Sequence, residues 1–301
     1  MKKNLLLIVF ALASSVAFAQ NTSKNGHQIT PEPGDYGLGI DVDPFFSYFG
    51  NMFNGTSGNS SPTWDYTTNE PIPMVITGLM IKDETTAYRG KLRIGTGSQT
   101  RTSVVDDDNS TSTPPATVED ELKTSATNIL LSGGLQKTRG KHRVKGIYGA
   151  ELLIGTGNGG KSEYDYGNAF NLDSTATGYG QATSTDWPSG TSSPVSSRIT
   201  ESKTGSTFYL GLRGFVGIEY FIGPKISIAG EFGWGLGLAS TGEGEQTTES
   251  FSTGADPIFS FDDTIISTTS KTGKSSSFGL DNDSGNPFSP GSGSLRLTFY
   301  F

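Results

Sequence analysis

The sequence predicts an all-β fold: a closed, eight-stranded, antiparallel up-and-down transmembrane β-barrel with long extracellular loops and short periplasmic turns. Three observations predict it. Eight stretches alternate apolar and polar residues with a period of two, as strands do when one face meets an apolar and the other a polar environment. The connections after strands one, three, five and seven are long, and those after two, four and six are short, the asymmetry of barrels that cross a membrane. Beyond the amino terminus, no continuous apolar run is long enough for a helical crossing of ~20 residues.

The amino terminus reads as an address rather than as part of the fold. Met1-Lys2-Lys3-Asn4 is followed by an apolar stretch from Leu5 to Ala19 that closes on Ala17-Phe18-Ala19. A basic start, a short apolar core and an Ala-x-Ala site describe a secretory signal peptide over residues 1–19. Residues 20–33 are polar with Pro31 and Pro33, a short flexible periplasmic lead, and the barrel domain is expected over 34–301. With 33% hydrophobic residues and 41 Gly among 301, the chain is poor in apolar content for its length. A barrel tolerates that, because only every second strand residue faces lipid. The absence of Cys excludes disulfides, thiolate metal sites and lipoprotein anchoring. The net charge of −8 argues against nucleic acid as a partner.

Taken in order, Tyr36, Leu38, Ile40 and Val42 share a face of strand one, which Pro44 ends. An aromatic patch follows (Phe45, Phe46, Tyr48, Phe49, Met52, Phe53), read as an interfacial anchor or a docking site. Strand two runs from Met74 to Ile81 and turns at Lys82–Thr85. Strand three, Thr86 to Gly97, sets Tyr88, Leu92 and Ile94 on one face against Arg89, Lys91 and Arg93 on the other. Ser98 to about Leu122 is expected as loop. Strand four (Ala126–Gln136) and strand five (Val144–Thr156) flank a short turn at Lys137–Lys141, and Gly157–Lys203 is a second long loop. Strands six and seven, Phe208–Tyr220 and Ile226–Leu238, form a hairpin around Gly223-Pro224. A third long polar segment, Ala239–Pro290, leads to the last strand, Gly293–Phe301, where Leu295, Leu297, Phe299 and Phe301 share the apolar face.

That closing strand, ending on Phe301, resembles the assembly signal of bacterial outer-membrane barrels, in which the terminal Phe is read by the insertion machinery. Gly34-Asp35-Tyr36-Gly37-Leu38-Gly39-Ile40-Asp41, the Pro44–Phe53 patch and Asp83–Ile94 resemble small outer-membrane β-barrel proteins of Bacteroidota. The resemblance implies a location and a transient encounter with the barrel-assembly machinery. It implies no activity.

Candidate chemistry is sparse. Gly155–Ser162 fits the written pattern G-x-x-x-x-G-K-[ST]. No amphipathic helix follows it, however, and Ile94-Gly95-Thr96-Gly97 repeats Ile154-Gly155-Thr156-Gly157 at the top of another strand, so strand ends explain it better. His27 in the lead and His142 beside a periplasmic turn are badly placed to serve a surface hydrolase, and no catalytic residue, cofactor or metal site is expected. Asp106-Asp107-Asp108-Asn109 and Asp281–Asn286 read as solvated acidic loops rather than calcium sites.

The interior charges are the one constellation with a specific expectation. Arg89, Lys91, Arg93, Lys145, Arg213 and Arg296 on the lumenal face are offset by Asp41, Asp43, Glu151, Glu219 and Glu231. Across a narrow interior filled by side chains they should form a plug of ion pairs with no open pore. The expectation is therefore a monomeric, non-catalytic barrel in the outer membrane of a Gram-negative bacterium, bathed in its lipid. It would be a structural or interaction protein or an accessory subunit with another envelope protein; the alternative is a narrow channel or hydrophobic-ligand transport barrel.

Overall fold

A computed structural model describes residues 22, 26–42, 75–170, 182–252, 264–282 and 294–301. Among them the protein is all-β. Eight antiparallel strands close into a barrel: β1 (Tyr36–Asp41), β2 (Ile76–Asp83), β3 (Thr86–Asp106), β4 (Thr117–Arg139), β5 (Val144–Asp165), β9 (Ser206–Gly223), β10 (Ile226–Thr241) and β14 (Ser294–Tyr300). Each pairs with its neighbour in this order, and β14 returns to β1 with Gly37 opposite Tyr300 and Asp41 opposite Arg296. Closure pairs the strand edges that would otherwise expose backbone donors and acceptors. Tyr36 and Phe301 exchange backbone hydrogen bonds at 2.9 Å, so both ends of the barrel chain lie at the end that carries the short turns.

Alternation sorts the side chains as the sequence requires. Leu38, Met80, Tyr88, Leu131, Leu152, Leu212, Val216, Trp234, Leu236 and Phe299 are exposed on the outer wall. The alternate residues point inward, where most are buried. Leu295 and Leu297 are half-buried, and with Phe299 and Phe301 they follow the outer face of β14.

Two expectations are corrected above and below this wall. The segment 98–122 is loop only over 107–116, and the rest of it is strand. β3 and β4 remain paired without a break from Thr86↔Lys137 to Asp106↔Thr117. β5 likewise continues to Asp165, and β8 (Ser197–Lys203) pairs with it and with β11 (Glu245–Ser252), which pairs with β12 (Thr264–Lys271). β13 (Ser275–Asn282) lies along the upper half of β10, in line with β14 along the lower half. The reason is compositional: Thr favours strands, but the outer face of the extensions is polar and the inner face is packed largely through polar groups such as Asp120 and Thr185, so little apolar alternation reveals them.

A hairpin, β6 (Ala182–Asp186) and β7 (Thr191–Val195), is fastened to the lumenal side of these extensions. Arg198 anchors it. Its guanidinium donates to the carbonyls of Asn168 (2.8 Å) and Thr183 (3.1 Å), pairs with Glu249 and lies 4.3 Å over the Tyr166 ring. Asp120, fully buried, accepts from Gly167 N at 2.9 Å and from the Thr185 hydroxyl at 2.5 Å. Burial pushes the Tyr166 phenol above its ordinary pKa while its hydroxyl donates to Ile199 O. Arg198→Ala is expected to cost this crown about 2–3 kcal/mol, since it removes charge-assisted bonds and strands Glu249. Limited proteolysis should then cut near 182–195 while the barrel stays compact.

The second correction is at the short-turn end. Within the lead, residues 26–33 are not a free tether: Ile29 is fully buried against Leu79, Ala87, Phe221 and Tyr300. Lys225 N donates to Ile29 O at 2.9 Å, and Gly34 N donates to Ile81 O at 2.8 Å. A single isoleucine in a polar stretch has no periodicity, so nothing in the pattern marks it. Ile29→Asp should free residues 26–34 to protease, with the unheated compact migration of the barrel on a denaturing gel unchanged.

Candidate functional site

The lumen is filled in layers, and the middle layer is ionic. Arg89 and Lys91 come from β3, Glu151 from β5, Arg213 from β9, Glu231 from β10 and Arg296 from β14. All six are buried. Each sits at an inward position because its sequence neighbours face the apolar exterior, so the alternation that builds the wall also aims the charges.

Glu231 is the hub. Its Oε1 accepts from Arg89 Nη2 at 2.7 Å, Lys91 Nζ at 3.0 Å and Arg213 Nη1 at 3.1 Å, and its Oε2 lies 3.6 Å from Arg296 Nη1. Glu151, opposite Arg213 in the ladder, pairs with it at 2.8 Å and with Arg89 and Lys91 at 3.4 Å. The Phe215 ring supports the layer from beside it, with Arg89 at 4.3 Å and Arg213 at 5.5 Å from its centroid. Glycine makes the crossing possible. A Cβ on Gly233 would lie 2.6 Å from Arg213 Nε, and one on Gly39 would lie 2.6 Å from Arg296 Cδ.

Beside Arg296 is a cavity of about 10 Å³ bordered by Asp41, Thr77, Glu231 and Ser294, space for about one water. Arg296 Nη1 and Nη2 and Glu231 Oε2 make no hydrogen bond. Such a space is too narrow for a hydrated ion. Below the layer, Ile29, Leu79, Ala87, Phe221 and Tyr300 form an apolar floor, in which Glu219 accepts from Ser227 Oγ at 2.6 Å and from Tyr300 Oη at 2.7 Å. Above it, Val75, Leu130, Leu153 and Tyr209 form an apolar ceiling.

Of the expected lumenal charges, Arg89, Lys91, Arg213, Arg296, Glu151 and Glu231 are brought together. Asp41 borders the cavity, and Arg93 is half-buried one inward step above Lys91. Glu219 belongs to the floor. Lys145 shares the inward register opposite Glu219 but stays outside the layer, because its Nζ donates to Gly140 O at 3.4 Å at the turn. Long side chains at strand ends reach for the rim in this way. Asp43 and the aromatic patch Phe45, Phe46, Tyr48, Phe49 and Phe53 lie outside the described residues.

Gly155–Ser162 is strand: it is part of β5, its residues pair with β4, and Lys161 pairs with Glu163 and with Glu201 at 3.4 Å. It presents no cradle of backbone donors for phosphate. Asp107 accepts from Asn109 N at 2.9 Å within its own turn, and Asp108 accepts from the Thr183 hydroxyl at 3.2 Å. The alternation left unread the partners of the charges: Phe215, Ser227 and Tyr300 occupy inward positions, but only the closed ring shows which neighbours they meet. No protein-family model, no curated protein and no solved structure matches the chain.

Proposed function

We propose that the protein is an integral outer-membrane β-barrel that acts through its surface as a structural or interaction protein, or as an accessory subunit of an envelope complex. The observation that carries the reading is the contrast between wall and lumen. The outer wall is apolar from Ile226 to Leu238 on β10, which at ~3.3 Å per residue and ~40° tilt spans about 30 Å, the thickness of a bilayer core. The lumen is shut by two apolar layers around an ion-pair layer. A wall suited to lipid around a filled interior suits a scaffold better than a conduit.

What such a scaffold offers a partner is its crown. The extensions of β3, β4 and β5 with β8, β11 and β12 form a continuous sheet rooted in the barrel, and a preformed surface loses little entropy on binding. We read the barrel as non-catalytic and monomeric, with outer-membrane lipid and a second envelope protein as its partners. The test is a mild-detergent pull-down of the tagged protein from its native membrane, combined with conductance in a planar bilayer. A stoichiometric partner and no conductance are expected. Steady conductance without a partner would favour the narrow-channel reading, with the ion-pair layer as its constriction.

A further inference from the structure

We propose that the turn between β4 and β5 is a docking site for the headgroup phosphates of anionic phospholipid in the leaflet around the short-turn end of the barrel. The inference rests on the membrane reading above and adds a lipid class to it.

The chain is acidic overall, at −8, yet Lys137, Arg139, Lys141, Arg143 and Lys145 fall at alternate positions of one stretch. Lys145 turns toward the lumen rim. The other four gather at the turn, and Lys137, Arg139 and Lys141 are exposed. The turn is tight, with Gly140 at φ +143° and His142 at φ +62°, so it holds these cations close together. Lys82 on the neighbouring turn joins them, with its ammonium 5.7 Å from the Tyr88 ring.

Their bonding is what distinguishes them. Among the described residues none of these five forms an ion pair with a carboxylate, whereas Lys225 on the third short turn pairs with Asp35 at 2.9 Å. Lys137 donates to the Thr86 hydroxyl at 2.6 Å, and Arg143 donates to the carbonyls of Phe221 (3.3 Å) and Ile222 (3.4 Å). These bonds orient the cations without pairing them to a carboxylate, and the attraction to an acid at this turn is the longer-range one between Lys137 and Asp83. Lys137 and Arg139, two apart at the end of β4, sit ~7 Å from each other, inside the ~8 Å screening length of physiological salt, so they repel. An adjoining anionic surface relieves that repulsion.

Position supplies the rest. Tyr36, Tyr88 and Tyr148 are about half exposed on the outer wall near this end, as ring anchors at a membrane interface are. Lys137 lies opposite Tyr148 in the ladder. The cations therefore begin where the tyrosines mark the edge of the apolar band, at headgroup depth. Guanidinium and ammonium donors at that depth suit phosphate, Arg139 and Arg143 by bidentate bonding.

The experiment reconstitutes the full chain into phosphatidylcholine nanodiscs containing a minor fraction of phosphatidylglycerol. Lipids retained on the barrel are then counted by native mass spectrometry. The wild type should retain phosphatidylglycerol about fivefold or more above its bulk fraction, and high salt should weaken the preference. Lys137→Ser, Arg139→Ser, Lys141→Ser and Arg143→Ser combined should abolish it. Lys123→Ser, Lys161→Ser and Lys203→Ser at the opposite end should leave it intact. A barrel that inserts and retains the two lipids in bulk proportion overturns the proposal while leaving the membrane reading standing. A barrel that never inserts overturns both. Retention that persists in the four-site variant, or tight binding of inorganic phosphate by the detergent-solubilised protein, would also overturn the lipid assignment.

Discussion

Glu231→Leu is expected to destabilise the barrel by about 3–5 kcal/mol, the cost of removing one partner from a buried ionic cluster. The carboxylate is shielded from water and faces four cations, three of them within 3.1 Å. Without it, Glu151 still reaches Arg89, Lys91 and Arg213. Arg296 then loses the carboxylate 3.6 Å from its Nη1, and it stays buried with two guanidinium nitrogens that make no hydrogen bond. The loss is therefore concentrated on Arg296, which gives a sharp second test. Arg296→Leu alone should also destabilise, because it deletes one cation from the hub. The double variant should cost less than the sum of the two single changes, by the coupling that direct partners show. Urea unfolding of the reconstituted protein, followed by Trp fluorescence and by compact migration on unheated gels, reads both quantities. Strictly additive effects would mean that the two groups do not act as a pair.

The same cluster shows what sequence pattern can and cannot supply. The six charges of the layer were legible because a position between two outward-facing residues of a closed barrel leaves a side chain no place to point but the lumen. Lys145 obeys the same alternation, but it lies close to its turn, where a long side chain has a second exit. Burial of Ile29 depends on contacts with β2, β3, β9 and β14, four elements distant in the chain, and no local period reports such a contact. The crown strands failed for a different reason. From Gln99 to Val105 one face carries Gln99, Arg101, Ser103 and Val105, and the other carries Thr100, Thr102 and Val104. Two polar faces leave hydrophobic alternation silent, and β-propensity was the only signal available.

The second large effect concerns Gly149, on the inner face of β5 opposite Gln136. A Cβ there would lie 2.0 Å from the Leu135 carbonyl oxygen and 2.9 Å from Phe215 Cζ. The aromatic ring can shift, but the carbonyl belongs to a ladder held on both sides. Gly134 on the partner strand meets the same obstacle, with its added Cβ 2.2 Å from Ala150 O. Strands β4 and β5 are thus locked together at two adjacent steps, and neither can withdraw without breaking its other pairing. Gly149→Val should cost ~3 kcal/mol or more and yield little compact barrel on refolding. Phe215→Ala should not rescue it, because the backbone clash remains, and it removes the ring that Arg89 lies against. Gly133→Ala, on the outer face with no atom within 4 Å of the added Cβ, should be neutral or slightly stabilising. Gly233→Ala differs again, since its clash is with the Arg213 guanidinium; Arg213→Ala should relieve that clash while forfeiting the ion pairs. Comparable refolding yields for Gly149→Val and Gly133→Ala would refute the argument, since both add side chain to the same sheet and only one of them meets backbone.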